Sequence, residues 1–92
     1  MSADGVRRRV IVSGRVQGVF FRDTLRRQAE SRAVGGWAAN RDDGTVEVVL
    51  EGDPAAVEEL VGFCRRGPSR AEVSNVQVFE EDPEGLRGFR IA

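Results

Sequence analysis

Ninety-two residues are enough for one small domain, and 40% hydrophobic against 32% charged side chains exclude a disordered chain. The net charge of −1 provides no global field for nucleic acid or an anionic membrane, so any anion site must be local. With no histidine and one cysteine, Cys64, the chain cannot form an internal disulfide or an ordinary zinc site, and it lacks the commonest general base near neutral pH. The opening run MSADGVRRRVIVSG has no apolar stretch long enough for a signal peptide, and no segment approaches membrane-spanning length. A cytoplasmic protein is the expectation.

Val6 to Ser13 reads as a strand, with Val6, Val10 and Val12 on one face and Arg7, Arg9 and Ile11 on the other; Arg8 interrupts the apolar side. Gly14 to Gly18 reads as a glycine-flanked loop. From about Arg22 to Ala33 the period becomes helical, with Phe21, Leu25 and Ala29 recurring every four residues and Gly35-Gly36 ending the run. Two strands follow, Trp37 to Arg41 and Thr45 to Glu51, joined across Asp42-Asp43-Gly44, where Asp-Gly tolerates the positive φ of a hairpin turn. The second alternates Val46, Val48, Leu50 against Glu47, Val49, Glu51.

Asp53-Pro54 then reads as a helix start, with Asp as N-cap and Pro at the first helical position. The apolar stripe of this helix is Val57, Leu60, Val61, Cys64, and Gly67-Pro68 stops it. Glu72 to Phe79 and Gly88 to Ile91 read as a fourth strand and a short fifth. The acidic stretch Glu80 to Gly85 between them reads as a solvated loop. The order is βαββαβ plus a short extra C-terminal strand. It predicts a ferredoxin-like α+β sandwich, an antiparallel-rich sheet with two helices on one face, as a single domain over 1–92.

The fold hosts many activities, so function must come from a site. The informative segment is Gly14-Arg15-Val16-Gln17-Gly18-Val19-Phe20-Phe21-Arg22, which runs from a strand end through glycines into a helix start. There several main-chain N–H groups lack intrahelical partners and the helix dipole is positive. Glycine lets successive amides converge on one anion, and Arg22 adds a guanidinium that matches phosphate. These features point to an oxyanion site. The same pattern also builds ordinary β–α junctions with a solvated arginine, and geometry alone leaves both readings open.

The string GRVQGVFFR (14–22) resembles the acylphosphatase signature Gly-x-Val-Gln-Gly-Val-x-Phe-Arg at every fixed position. A second signature of that family is matched by Gly36-Trp37-Ala38-Ala39-Asn40, Gly44, Val46 and Gly52. The resemblance spans roughly Val6 to Ile91 and implies the fold read above. It also implies that Arg22 binds the substrate phosphate with loop amides from Gln17, Gly18, Val19, Phe20 and Phe21, and that Asn40 positions the attacking water. The implied reaction is hydrolysis of an acyl phosphate to a carboxylate and inorganic phosphate, without metal or cofactor. The expected partners are the small-molecule substrate and inorganic phosphate as product and inhibitor. The near-neutral charge gives no reason to expect nucleic acid or membrane, and a monomer is the expectation although the sequence does not reveal self-association. Ala39 stands where many relatives carry a longer residue, but strand alternation turns it away from Asn40. Arg41 adds positive charge beside Asn40. Phe20 and Phe21 read as core packing and loop anchoring rather than substrate contacts.

Three rival readings have weaker support. Cys64-Arg65-Arg66-Gly67-Pro68-Ser69-Arg70 fits the Cys-x5-Arg loop of cysteine-dependent phosphatases, but Cys64 lies on a helical stripe with a strand after Arg70, the reverse of that loop's context. An RNA-recognition module would carry stacking aromatics on the two central strands, and Val6–Ser13 and Thr45–Glu51 have none. A related domain that binds an acyl or carbamoyl phosphate without turning it over is the third, and the presence of both Arg22 and Asn40 argues against it.

Overall fold

Seven elements follow one another: β1 (Val6–Arg15), α1 (Phe21–Ser31), β2 (Gly35–Asn40), β3 (Val46–Gly52), α2 (Pro54–Arg66), β4 (Glu72–Glu81) and β5 (Phe89–Ile91). This computed structural model describes residues 5–92. Residues 1–4 lie outside the described residues, and with them the start of the leader reading and of the 1–92 domain bounds.

The sheet order is β4-β1-β3-β2-β5. β1 pairs antiparallel with β3 and β4, β2 pairs antiparallel with β3, and β5 joins the edge parallel to β2. The ferredoxin-like expectation therefore holds, with the fifth strand making the sheet mixed. β1 and β2 run the same way, so the end of β1 and Asn40, the last residue of β2, lie at one end of the sheet.

Two-residue alternation sorts side chains between the faces. Val10, Val12, Ala38, Val46, Val48 and Leu50 form the helix-covered face, and all are fully buried. α1 lays Phe21, Leu25 and Ala29 on them, and α2 adds Val57, Leu60, Val61, Phe63 and Cys64. Phe21 and Phe63 join the helices, with ring centroids 5.7 Å apart at 50°. Each large side chain so buried stabilises the fold by about 1.5–3 kcal/mol. No helix among the described residues is long and apolar enough to cross a membrane.

The other face carries charge. Arg7 bonds Glu51 at 2.6 Å and Glu81 at 2.9 Å; Arg9 bonds Glu81 at 2.9 Å and lies 4.6 Å over the Phe79 ring. β1 and β3 show this face Arg7, Arg9, Ile11, Glu47, Val49 and Glu51, as the register requires. That is not the aromatic platform of an RNA-recognition sheet.

The structure corrects the expected pattern at three places. Gly35-Gly36 does not end the first helix: α1 stops at Ser31, and the two glycines open β2, which ends at Asn40 rather than Arg41. β1 does not stop at Ser13. It continues to Arg15 across a bulge, where the partner of Ser13 is Asn75 and that of Gly14 is Val73. Gly14 has φ 120°, and a Cβ there would overlap the Glu72 carbonyl oxygen, so glycine is what lets the strand pass this point. The acidic stretch 80–85 is not simply a solvated loop either: Glu80 and Glu81 extend β4, and the next residues wrap around Glu51.

Alternation marks Glu51 as outward-facing, yet it is only 5% exposed. Its carboxylate accepts hydrogen bonds from Arg7 Nη1 and from the main-chain N–H groups of Glu84 (3.0 Å), Gly85 (3.0 Å) and Leu86 (3.2 Å). Burial by itself would raise its pKa. The Arg7 guanidinium and the three amides more than offset that, holding the carboxyl below its ordinary value.

Candidate active site

The loop after β1 runs from Val16 to Phe20 and delivers the chain into α1. Gly18 has φ 71° and Phe20, the N-cap of α1, has φ 62° and ψ 24°. Left-handed backbone at a bulky residue costs about 1–2 kcal/mol, and it bends successive N–H groups inward. Phenylalanine has no side-chain acceptor, and α1 has no side-chain cap. The first α1 bond outside the helix proper is from Thr24 N–H to Phe20 O at 3.0 Å. Among the described residues no hydrogen bond uses the main-chain N–H of Gln17, Gly18, Val19, Phe20, Phe21 or Arg22. A helix start with unsatisfied donors is an anion site in waiting.

Arg22 is half-buried in the first turn of α1. The acid of that turn, Asp23, is held by Arg26 at 2.8 Å and Arg27 at 3.5 Å, three and four residues further along, one turn away. Its hydrogen bond to Arg26 outweighs burial and keeps the Asp23 carboxyl below its ordinary pKa. No described acid pairs with Arg22, so its guanidinium stays uncommitted in the turn that follows the open amides.

Asn40 lies at the same end of the sheet. Its register partner Val46 faces Val12 in turn, which puts Asn40 on the helix-covered side, two strand spacings (about 10 Å) from β1. Ala39, paired with Glu47, turns to the open face, as expected. Asn40 is exposed and lines a shallow depression with Arg41, Asp42 and Asp43.

Gln17 joins the two parts of the site. Its Nε2 donates to Arg41 O at 2.8 Å and to Thr45 O at 2.9 Å, using both of its protons on the hairpin that starts after Asn40. The hairpin is itself closed by Arg41 N–H to Thr45 O at 2.9 Å and Gly44 N–H to Arg41 O at 3.1 Å. Asp43 accepts from the Thr45 hydroxyl at 2.6 Å, a bond that lowers the Asp43 pKa. The loop and the hairpin are thus one braced unit. The sequence names Gln17 for its amide; its side chain acts as a strut, and only the long-range contact reveals this.

Two further expectations are corrected. Phe21 packs in the core, but Phe20 is 69% exposed. Phe20 precedes the helix as its left-handed N-cap, outside the Phe21/Leu25/Ala29 stripe that faces the core. Arg41 is not a free charge beside Asn40, because it pairs with Glu47 at 3.5 Å and Asp43 at 4.0 Å. Cys64, by contrast, behaves as the sequence suggests. It is fully buried in α2, and burial pushes its thiol up to about 12, so it is no nucleophile.

The acylphosphatase family model matches residues 8–91. An acylphosphatase of Haloarcula marismortui is 53% identical over 85 residues, covering 92% of this chain and 93% of the relative. The solved acylphosphatase of Coxiella burnetii superposes with a TM-score of 0.92 at 38% identity, covering 98% of this chain and 95% of the other. That of Bacillus subtilis gives 0.90 at 39% identity, covering 95% and 98%. A family model over residues 8–91 and likeness in sequence and fold over nearly the full length of each relative agree: the chain belongs to the acylphosphatase family.

Proposed function

We propose that this protein, as one domain over residues 1–92, hydrolyses acyl phosphates to a carboxylate and inorganic phosphate. In this reading the amides of Gln17 to Phe21 and the Arg22 guanidinium hold the phosphoryl group, and Asn40 orients the attacking water. One observation supports it above the others: the amides at the start of α1 and the Arg22 guanidinium have no partner among the described residues, whereas the first amides of α2 are capped by Asp53.

The chemistry fits the small set of groups. An acyl phosphate expels a carboxylate, whose conjugate acid has a pKa of about 4, so no general acid is needed. The transferring phosphoryl group carries its charge on the equatorial oxygens, where guanidinium and amide donors stabilise it. An amide side chain is no base, so Asn40 orients water without deprotonating it. The proton passes to a non-bridging oxygen of the substrate's own phosphate. We place the activity in the cytoplasm with a monomer as the working unit, since every group invoked comes from one chain.

The test is turnover of acetyl phosphate and benzoyl phosphate by purified protein with a chelator present. Chelator-insensitive hydrolysis, competitive inhibition by inorganic phosphate and a pH–rate profile without an enzyme-derived acidic limb are expected. No turnover, or turnover that requires added metal, overturns the proposal.

A further inference from the structure

We propose that the groove beside the phosphate loop, lined by Phe20, Thr24, Arg27, Pro68, Ser69 and Arg70, receives the acyl half of the substrate and favours acyl groups bearing a second anion. This rests on the acyl-phosphate reading above and extends it to the part of the substrate that the loop leaves untouched.

Direction is the first argument. In an in-line displacement the incoming water and the departing group lie on opposite sides of phosphorus. Asn40 lies on the β2 side of β1, across β3. The groove is on the other flank, where the segment after α2 turns into β4, whose Glu72 pairs with Arg15 at the end of β1. Water oriented from the Asn40 side expels the acyl group toward Arg70. The water oxygen forms the new P–O bond, and its proton goes to a phosphate oxygen. The old bond breaks with its electron pair on the acyl oxygen, so a carboxylate emerges in the groove.

Shape and chemistry are the second. The groove holds about 270 Å³, room for a small acyl group. Phe20 gives it an apolar wall; the side chain is 69% exposed on a left-handed backbone. The opposite wall is placed by the core, since the Gly67 backbone lies against the Phe21 ring and Ala71 N–H closes a turn onto Pro68 O at 2.9 Å. Two arginines, Arg27 and Arg70, line this space. Arg27 shares Asp23 at 3.5 Å, whereas Arg70 has no acidic partner among the described residues. A carboxylate or phosphate on the acyl group would meet Arg70 without displacing an internal pair.

The experiment compares kcat/KM for benzoyl phosphate and 4-carboxybenzoyl phosphate, which differ by one remote carboxylate, with acetyl phosphate as a reference too short to fill the groove. At low ionic strength the added carboxylate should raise kcat/KM about two- to fivefold, the range of an exposed ion pair, and added salt should erase the gain. Arg70→Gln should remove most of the gain. Arg87→Gln, the same charge change at the far end of the sheet, should keep it. No gain in the wild-type protein, or a gain that survives Arg70→Gln, overturns the groove assignment. If Arg22-dependent turnover of acetyl phosphate persists in that case, only the groove fails. If no acyl phosphate is turned over, the functional reading fails and the groove with it.

Discussion

The two helices of this protein begin in opposite ways. α2 opens on Asp53, whose carboxylate accepts from Ala55 N–H at 3.1 Å and Ala56 N–H at 3.2 Å, with Pro54 filling a position that needs no donor. α1 opens on Phe20, left-handed and without a side-chain acceptor. A capped start uses its own donors and is finished as structure. An uncapped start, preceded by a turn that gathers more donors, leaves them for something else. The amides of Glu84, Gly85 and Leu86 make the contrast sharper, because they form a comparable cradle that the protein fills with its own Glu51. Of three sets of converging donors, only the one beside Arg22 is left open.

The largest effect should come from the open site. Arg22→Ala should lower kcat/KM for acetyl phosphate about 10³-fold and weaken inhibition by inorganic phosphate, because the guanidinium contacts ground and transition states alike. Unchanged phosphate inhibition in that variant would reduce Arg22 to a surface charge. The filled cradle comes next. Glu51→Ala should destabilise the fold by about 3 kcal/mol, since Arg7 and three amides lose their shared acceptor. Because the folded Glu51 pKa is depressed, its contribution is full above the ordinary carboxylate value and is lost as pH falls through the native one. The acid limb of a plot of Tm against pH should therefore flatten in Glu51→Gln. Asn40→Ala should lower kcat about 10²-fold with KM within about twofold, separating orientation from binding in steady-state kinetics. The caps give the smallest changes. Asp53→Ala should cost about 1 kcal/mol in urea unfolding with turnover intact. Phe20→Gly should gain up to about 1 kcal/mol by relieving the left-handed strain, while slackening the loop and slowing turnover.

Much of the fold was legible because it is local. The stripes Phe21/Leu25/Ala29 and Val57/Leu60/Val61/Cys64 are buried as their spacing requires, and Asp53-Pro54 starts a helix where capping chemistry says it should. The uncapped start of α1 was also open to view, since residues 14–22 contain no Ser, Thr, Asp or Asn. What escaped depends on distant partners. Gly14 looks like a loop glycine until β4 is beside it and requires a bulge. Gln17 looks like one more loop amide until its side chain meets carbonyls 24 and 28 residues away. Glu51 looks like the polar side of a strand until residues more than thirty positions later fold over it. Adjacent phenylalanines both look like core, though only Phe21 is.

Glu51 also bears on how the C-terminal end of the chain breathes. A three-residue edge strand such as β5 would ordinarily fray, exposing its amides to solvent exchange long before the rest of the sheet opens. Here one carboxylate in the middle of the sheet clasps the segment leading into β5 and is itself locked to β1 through Arg7. Releasing that end means stripping a buried anion of its donors, which couples the short edge to global unfolding. Deuterium uptake at Phe89 to Ile91 should then follow the slow amides of β1 and β3, and Glu51→Gln should let that end exchange on its own.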